Sequence, residues 1–192
     1  MTQRRLVIAV LAAVLAGAFT GACAGPSGSS IAAKRQAARY MRAQTLDKLY
    51  QIHPIAREQI ANAAGYGVFS NVGVNIFWVS AAGGWGVVRD RASGADVYMN
   101  MASGGLGLGL GAKDFRGVFI FTTKAALDSF MDHGWSASGQ ADAAAKSDDK
   151  GGSYAGAIDV APGIKLYQIT ETGLALQATI QGTKYWRDDE LN

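Results

Sequence analysis

The chain has 192 residues, with 18 basic and 15 acidic side chains and a single cysteine. This length suits one domain with a substantial core, and one cysteine cannot form an internal disulfide. Residues 1–22 contain Arg4 and Arg5 but no acid, so the rest of the chain keeps 16 basic and 15 acidic side chains. This near balance argues against bulk electrostatic binding of nucleic acid.

The N-terminus has the three-part layout of a secretory signal peptide. A basic start over residues 1–5 precedes an uninterrupted apolar run over 6–19, which is too short to cross a bilayer comfortably as a stop-transfer helix. Small residues surround Cys23, and this placement resembles the lipobox of bacterial lipoproteins, in which the cysteine is acylated. The segment Ala22-Cys23-Ala24 also fits an ordinary A-x-A cleavage site, which would release a soluble periplasmic protein.

These features predict the organisation of the chain. They give a signal peptide over residues 1–22, a flexible Gly/Ser-rich tether over 23–30, and a single domain over 31–192. Acylation of Cys23 would anchor the protein in the cell envelope, facing the periplasm from the outer membrane.

The start of the domain predicts a helical hairpin. Residues 31–52 are rich in helix-forming Ala, Arg, Gln and Leu, and Ser29 or Ser30 can cap the first turn. Pro54 ends this helix and a second, shorter helix follows. The residues expected to face inward are Ala38, Met41, Leu49 and Ile52 on the first helix and Ile55, Ile60 and Ala63 on the second.

From Tyr66 onward, short apolar runs alternate with turn signals, a pattern typical of β-strands. A short helix over 124–133 interrupts them, with Thr123 as its N-cap, and Pro162-Gly163 predicts a tight turn between two late strands. The predicted strands cover residues 66–72, 74–80, 85–89, 95–101, 106–112, 115–122, 136–145, 154–161, 164–170 and 174–181. The predicted fold is therefore α+β and mainly antiparallel β, as a curled sheet, barrel or sandwich, with an N-terminal helical hairpin and one short inserted helix.

The run from Ser103 to Lys113 alternates glycine with leucine and is predicted to be a central strand over 106–112. Glycine in a strand usually marks the close approach of a backbone, a flat aromatic ring or a ligand, so a side chain at Gly107 or Gly109 is expected to collide with a neighbour. The run also fits the G-x-G-x-x-A pattern of dinucleotide-binding folds. That reading is set aside because a strand-like segment follows the run, where a nucleotide site needs a helix.

Residue patterns for catalysis and metal binding are missing from the sequence. The two histidines, His53 and His133, lie at predicted helix ends, and no C-x-x-C or H-x-x-x-H spacing occurs. The acidic residues 188–190 are predicted to be solvated surface charge. We therefore expect a protein that is not an enzyme and has no metal site or cofactor.

Several sequence blocks together resemble the SYLF domain, a family of lipid-binding proteins. The resemblance covers about residues 31–192, with the blocks in the family's order, and the set is more specific than any single block. The matching blocks are Ala64 to Gly73, Gly84 to Val88, Ser103 to Lys113, Phe119 to Phe130, Gly139 to Ala143 and Gly173 to Lys184.

The resemblance implies phospholipid binding, and a basic cluster suggests where it would occur. Lys34, Arg35, Arg39 and Arg42 precede the first acid of the first helix and are predicted to contact anionic head groups. Changing all four to Gln is expected to weaken binding with little loss of stability. The alternative function is a barrel-type periplasmic carrier of an apolar small molecule, with Phe77, Trp78, Trp85 and Trp135 lining its pocket.

Overall fold

The computed structural model describes residues 25–76, 79–106, 111–136, 156–170, 173–175 and 182–192. The predictions for the signal peptide, Cys23, Gly107, Gly109, Phe77 and Trp78 lie outside this part of the chain. So do most of the strands predicted over 136–145 and 174–181.

Three helices occur among the described residues, and their ends follow the predicted signals. They are α1 (Ile31–Ile52), α2 (Ala56–Asn62) and α3 (Lys124–His133). The Ser30 hydroxyl accepts a hydrogen bond from the Ala33 amide at 3.2 Å, and the Thr123 hydroxyl does the same for Ala126 at 3.2 Å. Both predicted N-caps are thus confirmed, because each satisfies an amide that the first helical turn leaves free.

The described strands form one antiparallel sheet. In it they follow the order β5-β9-β3-β2-β1-β4-β7-β6, and β8 pairs with β7. The sheet is a curled half-barrel, so the predicted α+β, mainly antiparallel fold is confirmed. The strands are β1 (Gly65–Ile76), β2 (Val79–Asp90), β3 (Asp96–Leu106), β4 (Gly111–Phe121), β5 (Trp135–Ser136), β6 (Ile158–Ala161), β7 (Ile164–Thr170), β8 (Gly173–Ala175) and β9 (Thr183–Arg187).

Two sequence predictions about glycines in the sheet are wrong. Gly73 was expected to separate two strands, but it lies inside β1 and pairs with Ala82 in a continuous ladder with β2. The predicted strand over 106–112 is instead divided, because Leu106 ends β3 and Gly111 begins β4. Those two strands have β1 and β2 between them in the sheet. Leu106 and Ala112 therefore lie in different strands, and residues 107–110 lie outside the described residues.

One face of the sheet, which we call the aromatic face, carries a core of packed rings under α3. The ring centroid of Phe69 lies 5.6 Å from that of Phe119 and 4.9 Å from that of Tyr185. Helix α3 buries its inward residues over these rings, as predicted. The buried residues of this core are Phe69, Val88, Met99, Met101, Phe119, Phe121, Leu127, Phe130, Met131, Val160, Ile164, Leu166 and Tyr185.

The other face, which we call the hairpin face, is covered by α1 and α2. Met41 and Leu49 of α1 and Ile60 of α2 are buried there against strands β1, β4 and β7. The sheet residues of this core are Val68, Val118, Ile120, Tyr167 and Ile169. The helical hairpin was predicted, and its packing on one side of the sheet places α1 and α3 on opposite sides.

Candidate membrane-contact site

The first turns of α1 use two of the four predicted head-group cations to bind the C-terminal turn. Lys34 Nζ lies 2.7 Å from Glu190 Oε1. Arg35 Nε donates to the backbone oxygen of Leu191 at 2.9 Å, and the Arg35 guanidinium lies 5.7 Å from the centre of the Tyr98 ring. These contacts join the start of α1 to the end of the chain.

Arg42 is held still more firmly. Its Nη1 lies 2.6 Å from Asp96 Oδ1, and the same oxygen accepts a hydrogen bond from Arg89 Nη1 at 3.0 Å. The side chains of Arg42 and Asp96 are only 15% and 11% exposed. Two guanidinium groups therefore share one nearly buried carboxylate where β3 begins, and this cluster fixes the middle of α1 on the sheet.

Arg39 is the member of the predicted set that faces solvent. It is exposed, and its Nε donates to the backbone oxygen of Arg35 at 3.3 Å. The four cations thus do not form one basic surface. A variant with all four changed to Gln is now expected to lose stability as well as charge, because Lys34, Arg35 and Arg42 make tertiary contacts.

The C-terminal turn is a part of this arrangement that sequence reasoning missed. Asp188 Oδ1 accepts hydrogen bonds from the amides of Glu190 at 2.9 Å and Leu191 at 3.0 Å, and Leu191 is 2% exposed. The Asn192 side chain both donates to and accepts from the backbone of Tyr98. Asp189 and Glu190 are exposed, as predicted, although Glu190 also pairs with Lys34, whereas Asp188 is partly buried and holds the turn. Leu191 is an apolar residue in an otherwise polar tail, and this could have indicated that the tail packs on the domain.

The corner between α1 and α2 is anchored by polar and aromatic contacts to β7. The Tyr167 hydroxyl donates to Gln59 Oε1 at 2.7 Å, and the Tyr167 ring lies 5.3 Å from that of His53. Burial raises the pKa of Tyr167 to about 12, although its hydrogen bond with Gln59 acts in the opposite direction. The phenol is therefore neutral at ordinary pH, and the corner is held in place on the sheet.

Large apolar side chains are exposed along this helical hairpin. Ile52 is 40% and Ile55 53% exposed at the corner, so the prediction that both face inward is wrong. Leu49 and Ala56 already fill the space between the corner and the sheet, which leaves the two isoleucines outside. Farther along α1, Ile31 is 45% and Tyr40 65% exposed.

Two arginines stand beside these exposed apolar groups. Arg39 directly precedes Tyr40 in α1, and Arg57 follows the corner, with its guanidinium 4.3 Å from the centre of the Tyr50 ring. An arginine over an aromatic ring keeps its charge and its N–H donors available at the ring's edge. The exposed residues of the hairpin therefore include apolar groups and two accessible cations, which lie at different positions around and along α1 and at the corner. We call Ile31, Arg39, Tyr40, Ile52, Ile55 and Arg57 the hairpin surface.

The aromatic residues proposed to line a carrier pocket do not share one face. Trp85 packs with the cores of the hairpin face, whereas Trp135 packs on the aromatic face, 5.9 Å from Phe119 between ring centroids. Phe77 and Trp78 lie outside the described residues. The carrier function stays a prediction, but Trp85 and Trp135 cannot line one pocket from opposite sides of a sheet.

The side chains that could serve catalysis or metal binding lie apart from one another in the described part of the chain. His53 follows the last residue of α1 and His133 ends α3, as predicted from the sequence. In the described ranges, no three His, Cys, Asp or Glu side chains are grouped so that they could hold a metal ion. Within those same ranges, no helix has the length and apolar character needed to cross a bilayer.

Comparison with known proteins gives one informative relative. The chain is similar to a protein from Aeromonas veronii named beta cell expansion factor A, with 34% identity over 159 residues. The match covers 82% of this chain but 58% of the relative, so the chain spans little more than half the length of that protein. No family model matches the chain.

Proposed function

We propose that this is a non-enzymatic protein of the bacterial cell envelope that binds phospholipid membranes through the hairpin surface. One observation carries the proposal: four of the five exposed large apolar side chains in the described ranges belong to residues 31–55, and the fifth is Trp186. Exposed apolar groups next to arginines suit the boundary between head groups and acyl chains. The apolar residues would enter that boundary while Arg39 and Arg57 meet phosphate.

The family assignment belongs to the same proposal. The ordered sequence blocks and the similarity to beta cell expansion factor A support placing the domain in the SYLF family, whose members bind lipid. The proposed partner is an anionic phospholipid membrane. Of the four cations predicted to contact head groups, only Arg39 is kept, because Lys34, Arg35 and Arg42 already make contacts within the protein. Arg57 is added as a second head-group contact.

The first test neutralises the two accessible arginines. Each cation near an anionic bilayer contributes about 1 kcal/mol, so Arg39→Gln with Arg57→Gln is expected to weaken binding to phosphatidylglycerol vesicles about 30-fold. Flotation of the vesicles measures the bound fraction. Lys184→Gln is the matched control, because Lys184 is an exposed cation on β9 away from the hairpin. If the control and the double variant lose vesicle binding equally, positive charge anywhere on the surface supports binding, and the hairpin surface is not the site.

A second prediction concerns the anchor. If Cys23 is acylated, Cys23→Ser should move the protein from the membrane fraction to the soluble periplasmic fraction and lower its mass by that of the acyl groups. The measurements are cell fractionation and mass spectrometry of the mature chain. An unchanged mass and unchanged partitioning would favour ordinary cleavage of the signal peptide.

A further inference from the structure

Arg116 is a cation at a position in the sheet that would ordinarily carry an apolar side chain. Alternation along β4 places it on the hairpin face together with Val118 and Ile120, which are both buried. Its partner in β7, Ile169, is buried as well, and Arg116 itself is partly buried. Charged side chains are seldom buried unless an opposite charge compensates them, so the partners of Arg116 indicate whether it serves the fold.

The partners of Arg116 do not compensate its charge. Among the described side chains, its one polar partner is the hydroxyl of Thr45 in α1, which accepts a hydrogen bond from Arg116 Nη1 at 3.0 Å. Arg89 is the other described arginine on this face of the sheet, and it pairs with the carboxylate of Asp96 at 3.0 Å. Within the described side chains, Arg116 thus lacks the carboxylate that Arg89 has.

Thr45 positions the guanidinium group without neutralising it. The Thr45 hydroxyl donates its own hydrogen to the backbone oxygen of Met41 at 2.8 Å, so it can only accept from Arg116. A guanidinium group carries several N–H donors in one plane, and this contact uses one of them. The rest of the planar group is therefore available to an acceptor that comes from outside the protein.

Arg116 lies where the cover of α1 over the sheet ends. Val68 of β1 and its β4 partner Val118 are fully buried on the hairpin face. Two residues farther along each strand, on the same face, Ser70 and Arg116 are partly exposed, and so is Trp85 of β2. The register pairs Ser70 with Trp85 on one side and with Arg116 on the other. These three residues form a row that solvent reaches beside α1.

Ser70 adds a hydroxyl donor next to the cation. Directly opposed residues of antiparallel strands have Cβ atoms about 4.5–5.5 Å apart, so Ser70 and Arg116 are close enough to contact one oxyanion together. Arginine binds phosphate through parallel N–H donors. A single cation balances the one negative charge of a phosphodiester, whereas a phosphomonoester carries nearly two. One non-bridging oxygen of a diester can accept from the guanidinium group while the other accepts from the hydroxyl.

We propose that Ser70 and Arg116 bind a phosphodiester group, such as the head-group phosphate of a single phospholipid molecule. We call these two residues the phosphodiester site. Its ligand supplies the negative charge that the described partners of Arg116 do not. The site is separate from the hairpin surface, because it lies between α1 and the sheet and not on the exposed residues of the helices. The proposal therefore goes beyond membrane contact and does not depend on it.

The test measures calorimetric binding of two soluble phosphodiesters to the mature chain carrying Cys23→Ser. One is dihexanoylphosphatidylglycerol below its critical micelle concentration, and the other is glycerophosphoglycerol, its head group without acyl chains. One lipid molecule is expected to bind per chain. Arg116→Met should lower the affinity about tenfold or more and Ser70→Ala about threefold or more, with Arg116→Lys between the parent and Arg116→Met. Tighter binding of the lipid supports a phospholipid ligand, and equal affinities support a soluble phosphodiester.

The controls separate a ligand site from a structural role. Lys184→Gln removes an exposed cation of β9 and should leave the affinity unchanged. Without ligand, Arg116→Met should melt at or above the temperature of the parent, because an apolar side chain replaces a partly buried charge. Arg116→Met should also float with phosphatidylglycerol vesicles as the parent does, because the hairpin surface is intact. Failure of the phosphodiester site and failure of the membrane proposal are thus distinguishable.

Three results would overturn the proposal. They are no binding of either diester to the parent, equal affinity of the parent and Arg116→Met, and an equal loss of affinity in Lys184→Gln and Arg116→Met. A lower melting temperature of Arg116→Met with unchanged binding would assign Arg116 to the fold alone. If Arg116→Met does not fold, Arg116→Lys and Ser70→Ala carry the test.

Discussion

Gly86→Val is expected to destabilise the domain by about 3 kcal/mol, near the upper end for overpacked cores. Gly86 pairs with Phe69 across β1 and β2, and any Cβ at this position would overlap the Phe69 ring and the Val68 carbonyl oxygen. The ring cannot easily move, because Phe119, Phe130 and Tyr185 surround it. A backbone oxygen in the sheet ladder cannot move either. Chemical unfolding followed by tryptophan fluorescence measures the change in the free energy of unfolding.

The matched control for this prediction is Gly117→Ala on the same face. Its added methyl meets Leu166 at 3.4 Å, so we expect the free energy of unfolding to change by less than about 1 kcal/mol. Valine has a higher strand propensity than glycine and would stabilise β2 if the space over Gly86 were open. A Gly86→Val variant as stable as the wild type would therefore show that the Phe69 ring does not occupy that space.

Asp96→Ala is expected to cost about 3 kcal/mol, because it leaves two guanidinium groups without their shared carboxylate. Arg42 is the more affected of the two, since its side chain is 15% exposed, compared with 36% for Arg89. Losing the cluster also frees the middle of α1 from the start of β3. Thermal unfolding followed by circular dichroism reports the loss of helix, most of which is α1. Its midpoint should fall in the variant, together with the midpoint followed by tryptophan fluorescence.

Glu190→Ala provides the comparison for an exposed ion pair. Its partner Lys34 is 27% exposed and Glu190 itself 58%, so we expect a loss of less than about 1 kcal/mol. If Asp96→Ala and Glu190→Ala lower the free energy of unfolding equally, the Arg42–Asp96–Arg89 cluster does not hold α1. Arg42 would then be free to contact lipid head groups, as the sequence predicted.

The helices show how much the sequence can reveal about this fold. The bounds of α1 and α3 were predicted to the residue, because Ser30 and Thr123 cap them and Pro54 and Gly134 follow them. These are local signals, carried within one turn of the helix end. The antiparallel, mainly β class also followed from local alternation and turn residues.

The head-group cations show what the sequence could not reveal. Spacing along α1 groups Lys34, Arg35, Arg39 and Arg42, but their partners Glu190, Leu191 and Asp96 lie far away in the chain. Pairing at that distance is decided by the packing of α1 on the hairpin face of the sheet and by the position of the C-terminal turn, which no local pattern encodes.

Glycine crowding also occurs at a position that the sequence did not single out. The alternation drew attention to Gly107 and Gly109, which lie outside the described residues, whereas Gly86 is one of the described glycines at which an added side chain would overlap a neighbour. Which glycine lies beside a large ring depends on the register between β1 and β2.

The central claim is that the hairpin surface is the part of the protein that enters the membrane. Flotation of the mature Cys23→Ser chain with phosphatidylglycerol vesicles tests it most directly, comparing Ile52→Ser with Ile55→Ser as a double variant against Trp186→Ser. All three side chains are large, apolar and exposed, but Trp186 lies on β9. Because neither change touches the core, the thermal midpoint of each variant should stay close to that of the parent.

We expect the parent and Trp186→Ser to float with the vesicles and the double variant to remain at the bottom of the gradient. Ile52 and Ile55 are 40% and 53% exposed, so together they would newly bury about as much surface as one fully exposed isoleucine. That burial contributes on the order of 1.5–3 kcal/mol, so losing both should lower binding by at least about tenfold. Flotation of the double variant at the level of the parent would contradict the claim, and loss of flotation in Trp186→Ser alone would move the membrane contact to β9.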